Sequence, residues 1–232
     1  MKKRTTVTIN SPVLRMPEEP RYRKCGPDMP EPGDAAMRSV PGGTESIRTG
    51  EENVRTDTER PSSACLFPSP LGVLLLRERD GFLTECAFLE EEEAAESAIP
   101  VARTSAEAPT PLLRRTWDQL AEYFAGQRKE FDLPLAPEGT PFQHAVWEKL
   151  LEIPYGVTAT YGEIAAATGN PKASQAVGSA NGRNPICIII PCHRVIGSGG
   201  KLTGYAFGLE RKTFLLELEK NKGGQESATK KQ

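Results

Sequence analysis

The sequence predicts an α+β protein, a small α/β block followed by a helical one. Three observations predict it. Apolar runs at 71–76 and 82–89 flank Asp80-Gly81, a hairpin signal because glycine accepts the positive φ of a tight turn. Threonine-led helix starts recur at Thr110-Pro111, Thr140-Pro141 and Thr160-Tyr161. A proline-rich stretch, Leu133-Pro134-Leu135-Ala136-Pro137, separates the two blocks as a linker.

The elements follow in order. Residues 1–60 hold few large apolar side chains and many Pro, Gly, Glu, Arg and Thr. Such a segment cannot bury enough surface to offset ordering entropy, so a disordered extension is expected. Its first 30 residues set Lys2, Lys3, Arg4, Arg15, Arg21, Arg23 and Lys24 against Glu18, Glu19 and Asp28. A solvated tail is the expected reading, with a weak nucleic-acid-contacting arm as the alternative. Order begins near Cys65, and the first block is placed at 64–132. Residues 90–109, acidic and alanine-rich, read as a surface connection. Thr110-Pro111 then opens a helix that presents Leu113, Trp117, Leu120 and Phe124 on one face and ends at Gly126.

The second block is placed at 138–220. Thr140-Pro141-Phe142-Gln143 combines a capping box with proline at the first helical position, and Phe142, Val146 and Leu150 form the expected inner face. Pro154-Tyr155-Gly156 breaks this helix. Thr160-Tyr161-Gly162-Glu163 is a second capping box, opening a short helix that stops at Gly169. Pro171 restarts a helix reaching about Ala180, and the two short helices read as a helix-turn-helix. Residues 186–190 are a continuous apolar run closed by Pro191, expected as a buried strand-like segment feeding into Cys192. A glycine-rich turn at 197–200, Tyr205 and a helix from about Leu209 to Lys220 complete the block. The polar tail at 221–232 is expected to be disordered.

Composition excludes several classes. Net charge is -2, so no global basic field advertises a partner. The five cysteines are odd in number and irregular in spacing, which argues against a disulfide framework and for a reducing compartment. No apolar region follows Met1-Lys2-Lys3-Arg4, and no stretch approaches 18 apolar residues, so a cytoplasmic protein with no membrane span is expected.

Cys192 is the residue with chemistry to offer. It follows a proline-closed buried segment and precedes His193 and Arg194, neighbours that would favour thiolate over thiol. The alternative is an inert core cysteine, the reading given to Cys187. His144 and His193 are the two histidines, too few for a metal site that needs several.

These residues converge on a known family. The stretch 140–219 closely resembles the O6-alkylguanine–DNA alkyltransferases, also called methylated-DNA–protein-cysteine methyltransferases. The hallmark is Pro191-Cys192-His193-Arg194-Val195. Around it stand Tyr161-Gly162-Glu163-Ile164-Ala165, Gly169-Asn170-Pro171-Lys172-Ala173, Ala176-Val177-Gly178, Asn184-Pro185 and Gly204-Tyr205. Ser69-Pro70-Leu71-Gly72 resembles the opening of the family's N-terminal domain, and residues 1–60 have no counterpart in its short bacterial members.

The resemblance implies a ribonuclease-H-like N-terminal domain and a winged-helix-like C-terminal domain. It implies a methyltransferase that moves an alkyl group from guanine O6, and potentially from O4-methylthymine, to its own cysteine, once per molecule and without a cofactor. Cys192 matches the nucleophile. His193 matches the base that takes the thiol proton through a water, Glu219 the carboxylate that orients it, and Asn184 a residue supporting the network. Tyr161 matches a proton donor toward guanine N3, Tyr205 the pocket wall and Val195 the carbonyl that reads the base. The implied partner is double-stranded DNA bound by a monomer, mainly through the minor groove, with the alkylated guanine flipped out. The recognition helix would carry Ala173, Ser174, Ala176 and Gly178, small enough for close approach.

Two positions depart from the family. Gln175 stands where arginine usually fills the hole left by the flipped base, bringing no charge and less stacking area; Arg183 lies nearby in sequence. Phe207 stands where many members have glycine and would narrow the pocket. No structural zinc is expected. Two other readings are a binding protein of the alkyltransferase-like kind, which lacks the cysteine, and a methylation-switched regulator, which carries a further metal-binding domain.

Overall fold

The computed structural model describes residues 62–223. The expected extension at 1–60 and most of the expected tail at 221–232 lie outside them; residues 221–223 continue the last helix instead. Strands β1 (Ser62–Ser69), β2 (Gly72–Arg79) and β3 (Phe82–Phe88) form an antiparallel sheet in the order β1-β2-β3. Asp80 (φ 53°) and Gly81 (φ 78°) make the two-residue turn between β2 and β3, both central residues in the left-handed region as the Asp-Gly signal requires. β1 was not singled out from sequence; Pro68 interrupts its pattern, and its outer edge is hydrogen-bonded by Leu66 to Pro100 and Ala102.

The connection at 90–109 contains a short helix, α1 (Glu91–Glu96), and a 3-10 turn at Ser105–Glu107. Helix α2 (Pro111–Phe124) is capped by the Thr110 hydroxyl, which accepts from the Leu113 amide at 3.2 Å. Leu113, Leu120 and Tyr123 are fully buried beneath the sheet. Phe67 receives the Trp117 ring edge-on at 5.2 Å and stacks with Phe124 at 6.2 Å. Each of the large buried side chains contributes about 1.5–3 kcal/mol of apolar burial.

The proline-rich stretch is not a free linker. Leu133, Leu135 and Ala136 are buried, Leu83 N donates to Pro134 O (2.8 Å), and Ala136 N donates to Leu83 O (2.9 Å). The open edge of β3 is thus covered, and the same edge takes a second segment: Cys86 N to Pro185 O (2.9 Å) and Cys187 N to Cys86 O (2.7 Å).

Beyond it, α3 (Pro141–Leu151), α4 (Tyr161–Ala167), α5 (Ser174–Gly182) and α6 (Leu209–Gly223) build the helical block, with a parallel two-residue pair β4 (Ala159–Thr160) and β5 (Val195–Ile196). Both capping boxes form as expected. The α3 face is as predicted at Val146 and Leu150, which are buried, and differs at Phe142, which is exposed while His144 and Trp147 point inward. Trp147 Nε1 donates to Ala180 O at 2.9 Å, joining α3 to α5. Helix α5 starts at Ser174, not Pro171, because the Asn170 side chain accepts from Lys172 N and its carbonyl from Ala173 N, forming a turn first.

Residues 186–190 are buried but form a tight turn instead of a strand. Ile189 N reaches Cys187 O, Ile190 N reaches Ile186 O, and Ile188 is held at φ 69°. A β-branched residue is strained there, so the surrounding packing must impose the turn. Among the described residues no helix is long and apolar enough to cross a membrane.

Candidate active site

Cys192 opens a 3-10 turn, Cys192–Arg194, directly after the strained segment. Its backbone is fixed on both sides: N donates to Ile190 O (2.8 Å), and O accepts from Asn181 Nδ2 (3.3 Å). Asn184 braces the preceding turn, its amide donating to Ile190 O (2.8 Å) and its carbonyl accepting from Ile186 N (3.0 Å). The thiol is 2% exposed.

The expectation that His193 and Arg194 favour the thiolate is not met. Burial, and the nearby Cys187, push the Cys192 thiol up to about 12, against the Asn184 side chain, the Lys212 charge and a backbone hydrogen bond. A thiol held there is neutral at rest, and would need a base to act as a nucleophile.

His193 and Arg194 face Glu219 instead, and all three are buried. His193 Nε2 lies 2.9 Å from Glu219 Oε1. Arg194 forks onto the carboxylate, Nε to Oε2 at 2.9 Å and Nη2 to Oε1 at 2.9 Å, while Nη1 donates to Ile153 O at 2.6 Å. Tyr123 Oη donates to Oε1 (2.9 Å), and Gly156 N to Oε2 (3.0 Å). Burial alone would raise the Glu219 carboxyl; His193 and Arg194 outweigh it and hold the group at about 2. Burial lowers the His193 imidazole below its ordinary value despite the carboxylate. A neutral His193 donates from Nε2 to Glu219 and leaves Nδ1 as an acceptor, and Nδ1 is buried without a protein partner.

Tyr161 occupies the first position of α4, and its hydroxyl donates to Thr203 O (3.2 Å) and Gly204 O (3.3 Å). Burial and the neighbouring Cys192 raise its phenol, which stays protonated. Val195 O accepts from Lys212 Nζ at 2.6 Å, and the same ammonium binds Thr203 O and Gly204 O. Tyr205 follows on this loop with its hydroxyl buried and without a partner. Phe207 packs edge-on between Tyr205 (5.7 Å) and Phe88 of β3 (5.5 Å). Arg211 clamps the loop to the sheet, donating to Leu71 O and Phe207 O with its guanidinium 4.8 Å from the Phe88 ring.

Ala173 and Ser174 are half-buried at the start of α5, and Gln175 is exposed. Arg183 is exposed at the other end, about 12 Å further along the axis, and does not share the position of Gln175.

Two family models match the chain: 6-O-methylguanine DNA methyltransferase, ribonuclease-like domain, over residues 65–137, and the DNA-binding domain of the same family over 141–221. The methylated-DNA–protein-cysteine methyltransferase of Methanosarcina acetivorans is 54% identical over 154 residues, covering 66% of this chain and 96% of that one. The chain belongs to the 6-O-methylguanine DNA methyltransferase family. Its fold is the family's two-domain one, a ribonuclease-like α/β domain followed by a helical DNA-binding domain. The crystal structure of the Mycobacterium tuberculosis O6-methylguanine methyltransferase is 46% identical, with a TM-score of 0.61 over 70% of this chain and 94% of that one. The Mycobacterium tuberculosis protein in complex with DNA matches at 47% identity and a TM-score of 0.60, over 68% and 93%.

Three residues around Cys192 have partners that the sequence does not reveal. Lys212 was readable in part: with Leu215 and Glu219 it lies at spacings of three and four on one face of α6, and all three are buried. Arg194 is legible as a charge beside Cys192, but its partner, Glu219, is not. Tyr123 sits between Leu120 and Phe124 and reads as core, because its link to Glu219 spans 96 residues.

Proposed function

We propose that the chain repairs alkylated DNA by moving the alkyl group from guanine O6 to Cys192 Sγ, once per molecule. The observation that carries this reading is a buried thiol, Cys192, followed directly in the chain by a buried imidazole, His193, that is engaged by Glu219. Glu219 holds that imidazole at Nε2 and leaves Nδ1 free to accept.

The bonds balance simply. The thiol proton passes through a water to His193 Nδ1, and Glu219 stabilises the imidazolium that forms. Sγ attacks the alkyl carbon, the S–C bond forms, and the C–O6 bond breaks with its electrons on guanine. The Tyr161 hydroxyl gives the leaving base a proton at N3 and regains one from solvent, while His193 gives up to solvent the proton it took. The thioether is stable, so the protein is consumed.

A duplex buries this reaction centre in its stack, so the alkylated nucleotide is flipped toward the loop at Thr203, Gly204 and Tyr205. The α4–α5 helix-turn-helix approaches the minor groove with α5, where Ala173, Ser174, Ala176 and Gly178 permit close contact. Val195 O reads the base with the lone pair that Lys212 leaves open, and Phe207 limits the size of the alkyl group. The protein acts as a monomer in the cytoplasm, where its free thiols stay reduced.

The test supplies duplex DNA carrying radiolabelled O6-methylguanine. One label per protein molecule is expected, with none on Cys192→Ala. Repeated turnover, or transfer to the alanine variant, overturns the reading.

A further inference from the structure

One of the bonds that fixes Glu219 comes from the ribonuclease-like domain. Tyr123, on α2, donates its hydroxyl to Oε1 at 2.9 Å, and both side chains are fully buried. The ring has little freedom. It meets Phe124 edge-on at 5.5 Å, Phe131 at 5.5 Å and Tyr155 edge-on at 6.2 Å. Burial and the Glu219 charge raise the phenol well above its ordinary value, so it remains a donor throughout the working pH range.

Oε1 is also the oxygen that faces His193 Nε2. A donor on that oxygen disperses its charge and weakens its hold on the imidazole proton. We propose that Tyr123 is a positioning residue of the proton relay, sharing the charge on Glu219 Oε1 so that His193 stays neutral and ready to accept at Nδ1. This rests on the reading of His193 as the base for Cys192.

Other groups act on the same centre. Arg194 forks onto Glu219 from the Cys192–Arg194 turn, and the Gly156 amide binds Oε2. Tyr155 faces Arg194 at 5.8 Å and feels the Glu219 charge. From α6, the Lys212 charge lowers His193 further. Tyr123→Phe leaves all these in place and removes one neutral donor.

The experiment uses the full chain in three forms: the parent, Tyr123→Phe, and a form with 3-fluorotyrosine, a stronger donor, at 123 alone. Two midpoints are read. One is the His193 imidazole titration followed by NMR without DNA; the other is the acid limb of single-turnover methyl transfer from O6-methylguanine DNA. With phenylalanine both midpoints move up by roughly half a unit to one unit, the equivalent of one hydrogen bond. With fluorotyrosine both move down. A purely structural Tyr123 would lower the melting temperature and leave both midpoints unmoved, which overturns the proposal. If the NMR midpoint moves and the kinetic one does not, His193 is not the base and the relay falls, with the Tyr123–Glu219 coupling intact. Should the phenylalanine variant fail to fold, an unmoved fluorotyrosine midpoint overturns the proposal by itself.

Discussion

Glu219→Gln removes the negative charge on which His193, Arg194 and Tyr123 converge while keeping the shape of the side chain. The carboxyl is held at about 2 against an ordinary 4.5. At about 1.4 kcal/mol per unit, its ionised form favours the folded chain by roughly 3 kcal/mol. Removing one partner of a buried ion pair costs about 3–5 kcal/mol, and here it leaves the Arg194 guanidinium 6% exposed without its counter-charge. Against a total stability of about 5–15 kcal/mol, that is a large share. The sign follows from a folded value below the unfolded one. The stabilisation is complete above about pH 4.5 and is lost as pH falls toward 2. Urea unfolding at pH 7 should therefore show the glutamine variant weaker by about 3 kcal/mol, and the gap should close as the pH is lowered through that window. A gap that stays constant across it, or one below about 0.5 kcal/mol at pH 7, would refute the view that Glu219 is an ionised, fully engaged carboxylate.

Three more expectations follow from the site. Because burial holds the Cys192 thiol near 12, its alkylation by iodoacetamide in the native chain should keep climbing through pH 10; a plateau below pH 8 would mean a thiolate at rest. Gln175→Arg should raise single-turnover repair of duplex DNA by roughly threefold through added stacking and charge, with the reaction on free O6-methylguanine unchanged; an unchanged duplex rate would show that Gln175 does not limit flipping. The parent chain should resist O6-benzylguanine, and Phe207→Gly should sensitise it while losing about 0.5–1.5 kcal/mol from the ring contact with Phe88. Rapid inactivation of the parent at low concentration would remove Phe207 as the size limit.

Local rules explain what was legible in the sequence. Asp80-Gly81 and the capping boxes at Thr140 and Thr160 act within four residues, and each forms as read. The motif that holds Cys192 is legible as a contiguous run. Features that depend on distant chain were not. β1 owes its place to pairing on both sides, and the inner face of α3 takes in Trp147, whose indole donates to the Ala180 carbonyl of α5. The run at 186–190 has strand composition, but hydrogen bonds to Asn184 and β3 bend it into a turn that its own propensities oppose. The electrostatics of Cys192 failed for the same reason. Adjacency in sequence placed two cations beside the sulfur, whereas in space Arg194 is committed to Glu219 and the cation that acts on the thiol is Lys212, 20 residues away.

The covered edge of β3 bears on how such a protein can be recombined. One margin of the sheet is completed by 134–136, at the end of the ribonuclease-like domain, and again by 185–187, so that domain finishes its architecture partly with backbone borrowed from the DNA-binding domain. A chimera cut at the proline-rich junction would separate β3 from a neighbour that must match it in register, and Glu219 from a matching tyrosine. Halves exchanged between relatives therefore have to agree along a seam of main-chain bonds as well as side chains. The unit that evolution or an engineer can transplant intact is the whole span from β1 to α6.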